Sequence, residues 1–392
     1  MSKVQWMSKD LWIIAAGFIA AMHIGKLPAT LPILQQQMQI TLVQGGLLLS
    51  LVQGAGMCFA LVLGSYAEKI GLKRCLVFGL GLLIASSLIA MSFPALWLMF
   101  LTRALEGFGF LMVTLTGAAI IRQLVQPEQL AAKMGLWTAY MGGGIAIALV
   151  LAPMILHLGS WQWVWAIFAF ITLGVLLGVA FFIPATQKST QSVKLIQLIQ
   201  TTIKHPPAWY LALIFGAYAG QWFALVSFLP IIYAENHIAL TTAGLLTATV
   251  SIANAVGTFS CGLLLQRGIS AKLLMQFGFA ILAFCALSFY GLKDFLPFIV
   301  QFALVFAFSL FGGLVAATVF AQALHFAPSP QTISTTIGLI LQNSAFSQFA
   351  LPPLIAFTVS QAQTWLWAGM MMAILSMIGI VLAQRLFQLK QV

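Results

Sequence analysis

The sequence predicts an all-α membrane protein in which twelve transmembrane helices form two pseudo-symmetric six-helix bundles. Three observations support this fold class: the hydrophobic composition, twelve long apolar segments and an internal repeat. Of the 392 residues, 62% are hydrophobic and only 6% are charged, whereas a soluble domain carries about 25% charged residues. This number of charged residues is too small to cover a surface that faces water, so the chain is not a soluble protein.

Twelve apolar segments are each long enough to cross a bilayer, which takes about 20 residues of helix. In the first half of the chain they lie near 11–34, 43–66, 75–93, 95–121, 134–156 and 161–183. In the second half they lie near 208–233, 241–264, 272–292, 295–323, 332–359 and 363–387.

The basic residues indicate how these helices are oriented. Of the 17 lysines and arginines, fourteen lie in the termini and in alternate loops, and the opposite set of loops holds only Lys293. Such an asymmetry places both termini and the central loop in the cytoplasm. The net charge of +11 is therefore a topology signal, and we expect no nucleic-acid partner. We expect a multi-pass protein of a bacterial inner membrane.

The two halves match at a nearly constant offset. "ATLPIL" ends the first helix at Pro32 and "SFLPII" ends the seventh at Pro230, 198 residues later. The only long polar segment separates the halves. We therefore predict an N-terminal bundle at 1–183, a linker at 184–207 and a C-terminal bundle at 208–392. The amphipathic stretch "VKLIQLIQTTIK" in the linker suits a helix on the membrane surface. Parallel repeats of this kind are a transporter architecture.

The second loop, "GSYAEKIGLKR", resembles the G-x-x-x-D-R-x-G-R-R signature of the major facilitator superfamily, with Glu in place of Asp and Lys in place of the first Arg. The matching residues are Gly64, Glu68, Lys69, Gly71, Lys73 and Arg74. The resemblance implies a cytoplasmic latch that stabilises the outward-facing state. Gly71 would permit a tight turn with positive φ. The alternative is an ordinary loop that follows the positive-inside rule.

Helix four supports the same resemblance. "RALEGFGF" is similar to the R-x-x-x-G-x-G element of the superfamily, whose arginine faces the central cavity or braces helix one. "MGLWTAYMGGG" at 134–144 and "FGAYAGQWFALVSFLP" at 215–230 resemble the cyanate and nitroimidazole transporter branch. The drug-antiporter signature of helix five is poorly kept, because Ala152 precedes Pro153 and no glycine pair follows.

Two cations lie inside predicted spans. Lys26 on helix one and Arg103 on helix four are each eight residues from the outer end of their helix, which is a depth of about 12 Å. Glu106 lies one turn deeper on the Arg103 face. In the superfamily both helices line the central cavity, so we predict an anion-binding site at Lys26 and Arg103. His23 lies one turn from Lys26, and we include it in the site.

Each of these residues also has a structural alternative. Lys26 could extend its stem outward to the membrane surface. Arg103 could pair with Glu106, or with helix-one carbonyls freed by Pro28 and Pro32. His23 could be a packing residue rather than a proton carrier. Glu106, the one acidic residue firmly within a span, is the proton-coupling candidate, and neutralising Arg103 is its alternative.

The C-terminal half offers neutral groups. We predict that five of them contact the substrate: Tyr218, Gln221, Trp222, Gln342 and Asn343. Such side chains also connect helices through hydrogen bonds.

Together these features predict a secondary active transporter that moves a small anionic solute by alternating access, coupled to protons. We expect no enzyme activity, cofactor or metal, and a monomer in the lipid bilayer that binds a small molecule and protons. The first alternative is a drug/proton antiporter that exports lipophilic compounds, which the aromatic and methionine content suits. The second is a receptor that keeps the fold without transport.

Overall fold

The computed structural model describes residues 8–185 and 195–389; within these ranges the side chains at 64–69, 127–128, 131–132 and 195 lie outside the description. Fifteen α-helices and one 3₁₀ turn (Pro330–Thr332) make up the fold of this part of the chain. In the first half the helices are α1 (Lys9–Met38), α2 (Leu42–Leu51), α3 (Gly54–Ile70), α4 (Leu72–Ser92), α5 (Leu96–Leu124), α6 (Pro127–Thr138), α7 (Tyr140–Leu156) and α8 (Trp161–Phe182). They are followed by α9 (Leu195–Ile203), α10 (Pro206–Glu235), α11 (Leu240–Gln266), α12 (Ala271–Leu292), α13 (Phe298–Phe326), α14 (Ile333–Ala362) and α15 (Leu366–Gln388).

These helices confirm the twelve predicted spans. Ten helical segments of the described chain are long and apolar enough to cross a membrane. The other two spans are α7, which is apolar but has 17 residues, and α14, which has 30 residues but carries several glutamines and serines. Helix α9 forms within the stretch for which an amphipathic helix was predicted.

Two of the predicted spans contain a short interruption of the helix. The second span divides into α2 and α3 at Val52–Gln53, and the fifth divides into α6 and α7 at Ala139. At the first break, α5 approaches so closely that a Cβ on Gly107 would lie 2.5 Å from the Val52 carbonyl oxygen. Gln53, Gly54 and Gly56 interrupt the apolar run at this point, but glycine is also frequent within continuous membrane helices, so the sequence alone did not reveal the break.

The centre of each half is a helix surrounded by protein. Every residue of α1 from Ala20 to Pro32 is buried, and so is every residue of α10 from Ile214 to Tyr233. The lipid-facing helices instead expose large apolar side chains, such as Phe170 at 75%. Charged side chains on α1 must therefore find their partners inside the protein.

The halves meet mainly through four pairs of elements: α1 with α10, α7 with α11, α2 with α14, and α3 with α14. Small residues permit this approach. A Cβ on Gly46 would lie 2.9 Å from the Cβ of Ala356, and one on Gly244 would lie 2.2 Å from the Leu149 carbonyl oxygen. Two amide side chains also bridge the halves: Gln53 donates to Gln348 at 3.0 Å, and Gln342 donates to the Met57 carbonyl at 2.9 Å.

One end of the helices, where α1 begins and α15 ends, carries most of the basic side chains, and we call it the basic face. The α3–α4 turn lies there, and Gly71 adopts the predicted positive φ of 108°. Lys73 donates to the carbonyls of Ala180 and Ile183 at 2.8 and 2.6 Å, which satisfies the C-terminal end of α8.

Arg74 is exposed on the same face. Gly64, Glu68 and Lys69 belong to α3, but their side chains lie outside the described part of the chain. The latch role therefore stays a prediction.

Candidate functional site

Four ionisable side chains meet in the interior of the N-terminal half. His23 and Lys26 come from α1, and Arg103 and Glu106 come from α5; their exposed fractions are 0%, 0%, 1% and 1%. We call these four residues the charge cluster. Burying charged groups so completely costs a large desolvation free energy unless every group is paired and hydrogen-bonded. The partners of each group therefore determine what the cluster can do.

Lys26 uses all three of its ammonium protons. It donates to Glu106 Oε1 at 2.5 Å, to Ser87 Oγ of α4 at 2.7 Å and to His23 Nδ1 at 3.1 Å. Ser87 in turn donates to the same Glu106 oxygen at 3.1 Å. The ammonium also lies 4.8 Å from the centroid of the Trp165 ring, a favourable cation–π distance. Lys26 therefore has no donor left for a further ligand.

The tautomer of His23 follows from its neighbours. Thr172 of α8 donates its hydroxyl proton to the Phe168 carbonyl at 2.6 Å, so its oxygen is the acceptor of the 2.8 Å bond with His23 Nε2. His23 consequently carries its proton on Nε2 and accepts from Lys26 at Nδ1. The ring is neutral in this arrangement, because a protonated imidazole has no acceptor.

Arg103 joins three helices. Its Nη1 donates to Glu106 Oε2 at 2.6 Å and to the His23 carbonyl of α1 at 2.9 Å, while Nε donates to the Leu48 carbonyl of α2 at 3.2 Å. Its Nη2 is buried and has no hydrogen-bond partner among the described residues. Leaving a buried donor of a charged group without an acceptor costs its desolvation free energy. A bound ligand could therefore supply an acceptor to this nitrogen.

The charges of the cluster do not balance. Two cations face one carboxylate, and the neutral His23 adds nothing, so the cluster carries one net positive charge inside the bundle. In a medium of low dielectric constant such an excess attracts an anion strongly. The cluster is thus suited to bind an anionic group.

Several predictions for these residues can be compared with the geometry. The i,i+3 contact of Arg103 with Glu106 and the contact of His23 with Lys26 are present. Lys26 does not extend to the membrane surface, since its side chain is completely buried. Arg103 donates to a backbone carbonyl of α1, as its structural alternative predicted. The carbonyl is that of His23, however, and not one that Pro28 or Pro32 leaves without an N–H partner.

The predicted residues of the C-terminal half do not join the charge cluster. Trp222 donates to Ser309 at 2.9 Å, and Tyr218 accepts from Asn254 at 2.7 Å. Gln342 instead bridges the halves, as described above. Asn343 is half-buried and lies close to Gly216, and its side chain has no hydrogen bond to the described residues.

Gln221 occupies the position in the second half that corresponds to His23 in the first half. It stands 198 residues after His23, the same offset that relates Pro32 to Pro230. His23 bonds to Thr172 on α8, and Gln221 accepts from Ser376 on the corresponding helix, α15, at 3.0 Å. The second half thus retains a polar contact between equivalent helices without any of the charges.

Sequence reasoning missed three partners of the cluster: Ser87, Thr172 and the Leu48 carbonyl. Serine and threonine are common in membrane helices, where they bond to their own backbone, and nothing in their spacing singles these two out. A backbone carbonyl has no sequence signal. The available clue was the excess of one buried cation, which requires polar neighbours.

Comparison with known proteins supports a transporter. The sequence model of the Major Facilitator Superfamily matches residues 13–350. An uncharacterized transporter of Rickettsia felis is 24% identical over 245 residues, 60% of this chain and 59% of that protein. The cyanate transport protein CynX of Escherichia coli K12 is 25% identical over 213 residues, 53% of this chain and 54% of that protein. The chain thus spans little more than half the length of these curated relatives.

Among solved structures, a bacterial homolog of the human lysosomal transporter Spinster, in an inward-facing and unoccupied conformation, superposes with a TM-score of 0.79. The two share 12% sequence identity, and the match covers 99% of each chain. This likeness concerns the fold, and it extends over both halves.

Proposed function

The chain belongs to the major facilitator superfamily of membrane transporters, and from this premise we propose that it carries a small anionic solute across a bacterial inner membrane together with a proton. The observation that carries the proposal is the buried Arg103 Nη2, which lies in a cluster of net positive charge and has no hydrogen-bond partner in the part of the chain that the structure describes. A carboxylate or a small inorganic anion supplies the acceptor that this nitrogen lacks.

The proton enters the proposal through Glu106. In its ionised form this carboxylate holds both Lys26 and Arg103. Protonation would remove that attraction and leave two cations for an incoming anion. The bound anion and the proton then cancel, so the cluster keeps its single net charge through the cycle. This is the electrostatic condition for symport of one anion with one proton.

The roles of the other predicted residues follow from this scheme. His23 and Lys26 would position Glu106 and supply charge, and Arg103 would contact the anion directly. Asn343 and the neighbouring polar groups of the second half would contact the remainder of the solute as the two bundles, 1–183 and 208–392, rock about it. The name of the relative CynX is consistent with an anionic substrate, since cyanate is an anion.

The same proposal includes the orientation. The basic face would lie in the cytoplasm with both termini, in accordance with the positive-inside rule. We further propose that the protein works as a monomer, because each chain supplies both bundles. A transporter of this kind carries out no covalent chemistry, so no enzymatic step is proposed.

The first test is binding, measured as thermal stabilisation of the purified protein. The probes are cyanate, nitrate and small carboxylates, alongside lipophilic cations. Arg103→Lys keeps the charge but removes the Nη2 donors, and Arg122→Lys at the exposed end of α5 is the matched control. We expect one class of anion to stabilise the wild type and the control but not Arg103→Lys.

Stabilisation by lipophilic cations, equal in all three proteins, would replace this proposal by the drug/proton antiporter. A positive result leads to uptake assays in proteoliposomes, where an inward proton gradient should accelerate entry of the same anion. Lys26→Gln provides a second variant if Arg103→Lys does not unfold cooperatively.

A further inference from the structure

A groove of about 350 Å³ opens on the basic face where α9, α10 and α15 meet. Lys204 follows the end of α9, Trp209 and Leu213 lie on successive turns of α10, and Leu382 comes from α15. The groove is far along the chain from the charge cluster and shares no residue with it. Its walls are apolar and aromatic, and Lys204 is the charge among its lining residues.

The groove is the place where α10 leaves its protein surroundings. From Ile214 to Tyr233 this helix is entirely buried, yet Trp209 is 37% exposed and Leu213 is 42% exposed. The two side chains are four residues apart and thus share one face of the helix. The exposed apolar side chains at this end of α10 form a surface against which an acyl chain can pack.

The shape of the groove is fixed by the protein itself. The Trp209 indole donates to the Ile203 carbonyl at 2.8 Å, which ties α10 to the last turn of α9. Thr202 of α9 is buried and bonds to Thr335 of α14 at 2.5 Å. Ile196 of α9, by contrast, is 70% exposed. Helix α9 therefore attaches to the second bundle by one face and presents apolar side chains on another.

The charge of this region favours an anion. Lys204 is exposed, and its ammonium has no hydrogen bond or ion pair with the residues that the structure describes. Between residues 195 and 389 the acidic side chains are Glu235 and Asp294, and both lie near helix ends at the face opposite the groove. No acidic side chain of the described residues on this side of the second bundle competes for the ammonium.

We propose that the groove binds one anionic phospholipid, with its phosphate on Lys204, its glycerol region beside the rings of Trp209 and Tyr210, and an acyl chain along Leu213 and Leu382. A cation next to aromatic side chains at helix ends is the arrangement that membrane interfaces favour. The lipid would hold α9, and with it the connection between the bundles, against the second bundle. The proposal does not depend on the transported solute.

The test measures lipid binding by native mass spectrometry of the full chain in uncharged detergent. The probes are dioleoyl-phosphatidylglycerol and dioleoyl-phosphatidylcholine. We expect the wild type to retain phosphatidylglycerol preferentially and Lys204→Gln to bind it roughly fivefold more weakly, which corresponds to the loss of one lysine near an anionic surface. Lys204→Arg should restore binding. Lys272→Gln, which removes a charge from the same face outside the groove, should bind as the wild type does.

Three results would overturn the proposal. Equal retention of the two lipids would show an apolar groove without selectivity for charge. An equal loss in Lys272→Gln would show a general attraction to the basic face. Displacement of the lipid by millimolar inorganic phosphate would indicate a site for a soluble anion.

Discussion

Lys26 is stable inside the membrane because each of its ammonium protons has an acceptor. Glu106, Ser87 and His23 take one each, and Glu106 also receives Arg103. The cost of burying a charge is thus offset by a network rather than by a single pair. Since the network holds two cations and one carboxylate, loss of the carboxylate should destabilise the protein more than loss of one cation.

We expect Glu106→Gln to destabilise the protein more than Lys26→Met. The glutamine variant leaves two cations buried without a counter-charge, which costs about 3–5 kcal/mol for a buried ion pair broken from one side. The methionine variant leaves the neutral pair of Arg103 with Glu106 and fills the space of the lysine stem. Thermal unfolding of both variants in the same detergent checks the order. If Lys26→Met were the less stable, the charges of the cluster would not be distributed as described.

Thr172 is expected to set the tautomer of His23. Thr172→Val keeps the shape but removes the acceptor of the Nε2 proton, so the ring is free to place its proton on Nδ1 and withdraw the acceptor from Lys26. Nitrogen NMR of ¹⁵N-histidine protein in bilayers distinguishes the two tautomers, and His23→Gln identifies the signal. Thr172→Ser, which retains the hydroxyl, should keep the Nε2 tautomer. An unchanged signal in Thr172→Val would show that Lys26 alone fixes the ring.

At the scale of the elements, close approach between helices depends on glycine at particular positions. A Cβ on Gly144 of α7 would lie 2.3 Å from the Phe18 carbonyl oxygen and 2.6 Å from the Cβ of Ala21, both on α1. Backbone cannot yield as a flexible side chain does. Gly174 of α8 is also within a helix, but a Cβ there would meet nothing within 4 Å. Gly144 is therefore required for the packing of α7 against α1, whereas Gly174 is not required for any helix contact, although both lie in similar apolar stretches of the sequence.

We expect Gly144→Ala to lower stability by about 1–3 kcal/mol, the usual cost of forcing additional atoms into a packed interior. Gly174→Ala should be neutral or stabilising by up to about 1 kcal/mol, because alanine is the better helix former. Apparent melting temperatures of the two variants provide the comparison. Equal effects in the two would mean that α1 and α7 can separate at little cost, contrary to the packing seen here.

The elements also show what the sequence reveals about this fold. The twelve spans were predictable, because a stretch of about 20 apolar residues has few other uses. The break at Val52–Gln53 was not, because it lies where α5, from a distant part of the chain, approaches closely. Likewise the pair of Arg103 with Glu106 follows from i,i+3 spacing. The contacts of Lys26 with Ser87, and of His23 with Thr172, join distant parts of the chain and require the tertiary structure.

At the scale of the whole molecule, alternating access requires the halves to separate where they now touch. Gly46 of α2 and Ala356 of α14 lie on opposite halves, and a Cβ on Gly46 would be 2.9 Å from that of Ala356. Cysteines at these two positions are close enough to form a disulfide after a small adjustment, since the usual Cβ separation is about 3.8 Å. The contact lies toward the face opposite the basic face, where α2 begins and α14 ends.

We expect Gly46→Cys/Ala356→Cys, in a background without the exposed Cys58, to cross-link under mild oxidation and to stop transport in proteoliposomes. A reductant should restore the activity, because only the covalent bond prevents the halves from parting. The matched controls are the single variants Gly46→Cys and Ala356→Cys in the same background, which carry the added atoms but cannot form the cross-link. Oxidation should leave their transport rates unchanged. Undiminished flux through the Gly46–Ala356 cross-link would mean that solute passes without separation of the halves at this contact.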